Sequence, residues 1–244
     1  MKMHSSVLQP LDSRALSLTE RTINALREAI RNGSLTPGAL YSVYQIAEDL
    51  GVSRSPVREA LLRLAETGIV RFERNKGFRV VVPGPSALAE MIAVRIALEV
   101  PAARHAANAA KAGDDHGLLA ECKAMQAAAT AQDVLLFMTH DQRLHGIILE
   151  LAGNSYVQRI IENLRDASRL VGPSTIKGTR TLSEVFEEHL PIVNAIIAGD
   201  GPGAARAMHE HLKTTGRILL HDAVSRPDAG EHTDDAELWT RFID

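Results

Sequence analysis

The stretch VVVPGPSALAE, Val80 to Glu90, constrains the fold more than any other. Pro83, Gly84 and Pro85 cannot continue a strand, and Ser86 can cap a helix that follows. The chain is therefore expected to divide there, with a linker at 84–86. The two sides also differ in charge. Residues 1–83 hold 12 Lys and Arg against 8 Asp and Glu, whereas residues 84–244 hold 15 against 22. A net +4 followed by −7 points to two domains with different partners, the basic one suited to nucleic acid. Hydrophobic residues make up 45% of the 244, enough for a sizeable core.

Before the break, apolar spacing predicts a helix over 18–32, a turn at SLTPGAL, a short helix over 43–50 and another over 54–67. IVRFERNKGFRVVV then reads as two strands around a turn at 74–77, a hairpin with Gly77 near its tip. Residues 1–15 are left as an N-terminal arm. After the break strands vanish and alanine rises. Six helices are predicted, over 86–112, 114–130, 132–152, 155–171, 180–199 and 201–225, with breaks at AGDD, AGNS, VGPSTIKG and AGDGPG. The segment 226–244 reads as a polar, loose tail, in which Leu238, Trp239, Phe242 and Ile243 could dock.

Within GVSRSPVREALLRL, Ser53 can cap a helix, and Pro56 is acceptable in its first turn. Val57, Leu61 and Leu64 recur at helical spacing and should face a core. Arg54 and Arg58 sit one turn apart at the positive N-terminal end of the helix. Arginines there can bond guanine bidentately or hold phosphate, or they can pair on the surface with Glu59 or Asp49. A short helix, Gly51, the arginine-bearing helix and a hairpin form a winged helix-turn-helix pattern, whose second helix enters the major groove. Aromatic residues are 4% of the chain, too few for stacking on single-stranded nucleic acid.

YQIAEDLGVSRSPVREALLRLAETGIV followed by GFRV resembles the DNA-binding half of GntR-type bacterial transcription regulators, over residues 16–83. The resemblance implies that Arg54 and Arg58 read an operator, that Ser53 and Ser55 touch phosphates or bases, and that the wing at Lys76 and Gly77 enters the minor groove. Where many relatives carry arginine or glutamate just before the first motif helix, this chain reads YSVYQ, which includes Tyr44.

In the second half, HDQRLHGIILELAGN places Asp141 and His145 four apart on one helical face, about 5–6 Å between Cβ atoms. That spacing suits two ligands of one metal, and equally a surface pair. VRIALEVPAARHAA, HDQRLHGIILELAGN and EEHLPIVNAIIAGDGPGAARAMHEHL resemble the all-helical FCD effector domain of FadR-type members, here over 86–225. The resemblance implies a mainly α protein with a six-helix, VanR-like bundle. It also implies a divalent metal on Asp141, His145, His189 and His211, and a small carboxylate effector held in part by Arg95. Three imidazoles and a carboxylate suit zinc first, with nickel, iron or manganese as alternatives. Relatives often have phenylalanine where this chain has Leu144, and Pro191 follows His189 by two. Arg95 could instead bridge to Glu99, four residues on. Arg165 and Arg169 could reach inward or stay solvated, and Met91, Leu98 and Ile148 read as core.

The expected protein is a ligand-responsive transcription regulator, a repressor by family habit, acting as a homodimer on pseudo-palindromic double-stranded DNA. Two rival readings are a metal sensor and a metal-dependent hydrolase with Glu188 as base. Evident charge stabilisers are missing for the latter, so no enzyme activity is expected. No 18-residue apolar window suggests a membrane span, the opening residues lack a secretory apolar run, and Cys122 stands alone. A bacterial cytoplasm is the expected location.

Overall fold

The computed structural model describes residues 16–110, 113–169, 180–226 and 234–243. The expected arm at 1–15 and the break VGPSTIKG lie outside them, as does the side chain of Arg169.

Helix α1 (Leu18–Arg31) starts at a capping box, Ser17 accepting from the Glu20 amide and Glu20 accepting from the Ser17 amide. Its Ile23, Leu26 and Ile30 fall on one face and are buried. After β1 (Leu40–Tyr41) come α2 (Val43–Asp49) and α3 (Arg54–Glu66). Gly51 makes the turn between these two helices with φ 64°, a conformation open to glycine. Val57, Ala60, Leu61 and Leu64 of α3 are buried, as their spacing predicts. Ser53 stands at the N-cap of α3, but its side chain makes no capping bond, contrary to expectation.

Strands β2 (Val70–Glu73) and β3 (Gly77–Val80) form the expected hairpin. The sheet is nevertheless three-stranded and antiparallel, in the order β1-β3-β2, with Tyr41 opposite Phe78. The added strand has two residues, too few to show any alternation in the sequence. Gly77 has φ 129°, and a Cβ there would lie 2.0 Å from the Tyr41 carbonyl oxygen. Glycine is therefore the residue that lets the wing close against β1.

Beyond the break the described residues hold α4 (Pro85–Ala109), α5 (Leu118–Thr130), α6 (Val134–Leu151), α7 (Ser155–Arg169), α8 (Leu182–Ile197) and α9 (Gly201–Val224). Pro85 opens α4 and Gly84 is its N-cap, so Ser86 does not cap it; proline's fixed φ is already helical and its missing amide would have had no partner. Helix α4 runs through the middle, packed on α6, α7, α8 and α9. Phe137, Leu144, Ile148, Leu182, Ile192 and Met208 build the main core.

The loose tail is corrected over 235–242, which form an eight-residue helix, α10 (Asp235–Phe242), capped by Asp234, while the docking allowed for Leu238, Trp239, Phe242 and Ile243 is observed. Leu238, Trp239 and Phe242 share a face and pack on Leu88, Ile92, Leu219 and Leu220. Trp239 is buried, with the Arg217 guanidinium 5.0 Å from its ring centre. Apolar burial here outweighs the polar composition that suggested a free end.

Candidate DNA-reading cleft and metal centre

The N-termini of α2 and α3 and the wing tip surround an open cleft of about 650 Å³. Arg54, Ser55, Arg58, Lys76 and Gly77, all predicted from the sequence, line it, together with Tyr44, Arg74 and Asn75. Arg54, Ser55, Arg58 and Lys76 are exposed. Ser53 is exposed at the start of α3 but does not line the cleft. Four cationic side chains converge where α3 presents its positive end. Tyr44 stays 60% exposed beside them.

The second site lies inside the bundle. Helix α6 supplies Asp141 and His145, α8 supplies His189 and α9 supplies His211; all four are buried. The donor atoms of the three histidines lie within 4.8 Å of one another. Each imidazole is oriented through Nδ1. His145 Nδ1 donates to Glu99 Oε2 at 2.9 Å, His189 Nδ1 to the Val185 carbonyl at 2.8 Å, and His211 Nδ1 to Glu188 Oε2 at 3.0 Å. These partners assign the tautomer, leaving Nε2 as the electron-pair donor of each neutral ring. His145 Nε2 and His189 Nε2 face each other at 3.3 Å, and Asp141 Oδ1 is 3.1 Å from His189 Nε2. Lone pairs and a carboxylate aimed at one another repel unless a cation lies among them. The donor set therefore fits a divalent metal of the zinc class. Pro191, two residues on, removes the bond to the Glu187 carbonyl but does not take His189 out of the group.

Electrostatics keep the donors available. Burial, with Arg165 adding to it, lowers His145 to about 3; burial, then His189, lowers His211 to about 4. Neutral imidazoles are the form that ligates metal. Burial works to raise Asp141, but Arg165 and the His189 contact hold it well below the usual carboxylate range.

Sequence reasoning missed Arg180, and left open whether Arg165 reaches inward and whether Glu99 bridges to Arg95. Arg165 Nη2 donates to Asp141 Oδ2 at 2.5 Å, and Arg180 Nη1 to Glu188 Oε1 at 2.6 Å. Glu99 is fully buried between Arg95 Nε at 2.7 Å, His145 and Arg165. Burial pushes its carboxyl up, yet these groups together bring it below the ordinary range. Arg95 thus does make the bridge to Glu99 that its spacing allowed, and Glu99 in turn holds His145. Ile148 is core and Leu98 packs on Ile161, but Met91 packs against the core of the N-terminal unit instead.

Two family models match this architecture: the gntR family of bacterial regulatory proteins over residues 18–80, and the FCD domain over residues 90–214. The chain belongs to the GntR family, in its FCD-bearing form. As a GntR protein it is a DNA-binding transcription regulator. It is 25% identical to the HTH-type transcriptional repressor RspR of Escherichia coli over 196 residues, covering 80% of this chain and 86% of RspR. It is 29% identical over 207 residues to a protein of Paenarthrobacter nicotinovorans named "Probable D-xylose utilization operon transcriptional repressor", covering 83% and 91%. Among solved structures, E. coli McbR/YncC superposes with a TM-score of 0.75 at 25% identity, covering 85% of this chain and 99% of McbR/YncC. A GntR regulator from Rhodococcus sp. RHA1 gives 0.71 at 25% identity, covering 84% and 99%. Among the described residues no helix is long and apolar enough to cross a membrane.

Proposed function

We propose that this GntR regulator is a repressor whose FCD bundle binds one divalent metal ion, zinc first, through Asp141, His145, His189 and His211. The metal supplies an electrophilic anchor for an oxygen of a small carboxylate effector, and Arg95 holds the carboxylate from α4. Effector binding changes how a homodimer presents its two clefts to a pseudo-palindromic operator, where Ser53, Arg54, Ser55 and Arg58 meet the major groove and Lys76 and Gly77 follow the minor groove. It works through the effector's preference for one arrangement of the two domains. The observation that carries the reading is the convergence of one donor atom from each of three histidines within 4.8 Å, each ring held through its Nδ1.

The FadR-type assignment and the six-helix VanR-like grouping belong to the same proposal. A hydrolase reading is disfavoured by Glu188, the one candidate base. It is already committed to the His211 ring and to Arg180, the arrangement of an orienting group and not of a free proton acceptor. The metal-sensor reading uses the same ligands and differs in its signal.

Elemental analysis of protein purified without a metal-affinity tag tests the site. About one transition-metal ion per chain is expected in wild type and none in His145→Ala/His211→Ala. Wild type that holds no metal and ignores added zinc, nickel and manganese would overturn the assignment. Operator binding that responds to metal with no organic acid present would favour the sensor.

A further inference from the structure

Helix α7 lies between the metal-facing centre and the DNA-reading unit. Successive helical residues are turned by about 100°. Asn163, Asp166 and Ala167 therefore share one face, and Arg165 points the other way. The contacts agree. Arg165 reaches Asp141 Oδ2 at 2.5 Å and lies 3.6 Å from Glu99. On the opposite face Asp166 Oδ2 pairs with Arg27 Nε of α1 at 3.0 Å, and Asn163 accepts from Arg27 Nη2. Ala167 is 1% exposed and belongs to the core of the reading unit, among Leu26, Leu61 and Leu64. Helix α1 in turn packs on α3, and its Thr19 hydroxyl donates to Glu59 of α3 at 2.7 Å.

Helix α4 also touches both regions, through Met91 on one side and Arg95 and Glu99 on the other. But α4 is held by α6, α8, α9 and α10 along its course, while α7 packs mainly on α4 and α6, with a lighter contact to α1. A displacement at the centre is taken up by the less constrained helix. Any ligand that competes with Arg165 for Asp141 pulls at α7 on the residue next to the one that grips Arg27.

We propose that α7 couples the two halves, with the Asp141–Arg165 pair as its input and the Asp166–Arg27 pair as its output. This deepens the regulator reading above by naming its transmission, and rests on that reading for the role of the metal. Coupling of this kind requires an element with two arrangements that both sites bias, and α7 is gripped from both sites.

Amide hydrogen exchange on the full chain tests it in two arms. The first uses no metal. Arg27 is part-exposed, so Arg27→Ala leaves the bundle core intact. It should raise exchange severalfold in α7 and in α6 around Asp141–His145, while α5 and α9 match wild type. Wild-type exchange in α6 would overturn the coupling. The second arm adds zinc alone. In wild type, zinc should slow exchange in α6 and α8 and alter it in α1. In Arg27→Ala and in Asp166→Asn it should still slow α6 and α8 and leave α1 unchanged. An α1 response equal to wild type in both variants also overturns the coupling. Zinc without effect on wild-type α6 and α8 sinks the metal reading instead, and the first arm then decides the coupling by itself.

Discussion

At the scale of single residues, Glu99 does the work of several. Its two oxygens hold Arg95 and His145, and Arg165 is near. Groups that orient a ligating histidine typically tune metal affinity 10–100-fold. Glu99→Gln should therefore weaken zinc binding by about that factor in a competition titration with a chromogenic chelator. Unchanged affinity would reduce Glu99 to a folding role. In the reading cleft, Arg58→Ala should cost about 1–3 kcal/mol of specific operator affinity if the guanidinium meets a guanine edge. A gel shift that does not move would remove Arg58 from readout. These two residues also differ in how legible they were. Arg58 stands in SRSPVREAL, where a charged turn opens an apolar helix, and that anomaly is visible in a line of text. Glu99 and Arg165 were legible only as open alternatives, a bridge to Arg95 and an inward or solvated arginine, because nothing local says that α4, α6 and α7 bring them together. The buried cluster of Asp141, His145, His189 and His211 was legible only through family resemblance, as ten histidines offered no spacing that singled out three.

At the scale of elements, helix ends were easy to place where glycine or a capping residue marked them, and the reading unit emerged nearly whole. The misses share a cause. Strand β1 is two residues long, and α10 is eight, both below the length at which periodicity speaks. What signal α10 offered was local: Asp234 can cap, and Leu238, Trp239, Phe242 and Ile243 are apolar in a polar segment. Its docking is specific. A Cβ on Gly216 of α9 would lie 2.8 Å from Ile92 Cγ2 and 3.3 Å from the Trp239 ring, so the groove is shaped for glycine. Trp239→Ala should lower stability by about 3 kcal/mol, as emptied aromatic sites do. Urea unfolding checks it, and a loss under about 0.5 kcal/mol, the range of surface changes, would mean that α10 contributes little.

At the scale of the whole molecule, residues 1–83 carry a net +4 and hold the cationic cleft, while residues 84–244 carry −7. Binding should therefore fall steeply with salt, with a log–log slope of roughly −0.9 per phosphate neutralised. Sedimentation of the protein–operator complex should give two chains per site, and a single chain bound at full occupancy would remove the homodimer from the proposal. The size of the molecule also gives meaning to one earlier detail. Trp239 is the sole tryptophan of 244 residues, and it sits under Arg217 at the seam of α10 with α4 and α9. The intrinsic emission of this protein is thus an optical gauge of one seam. Undocking α10 shifts that emission to the red while circular dichroism barely moves, since only the eight residues of α10 leave their place.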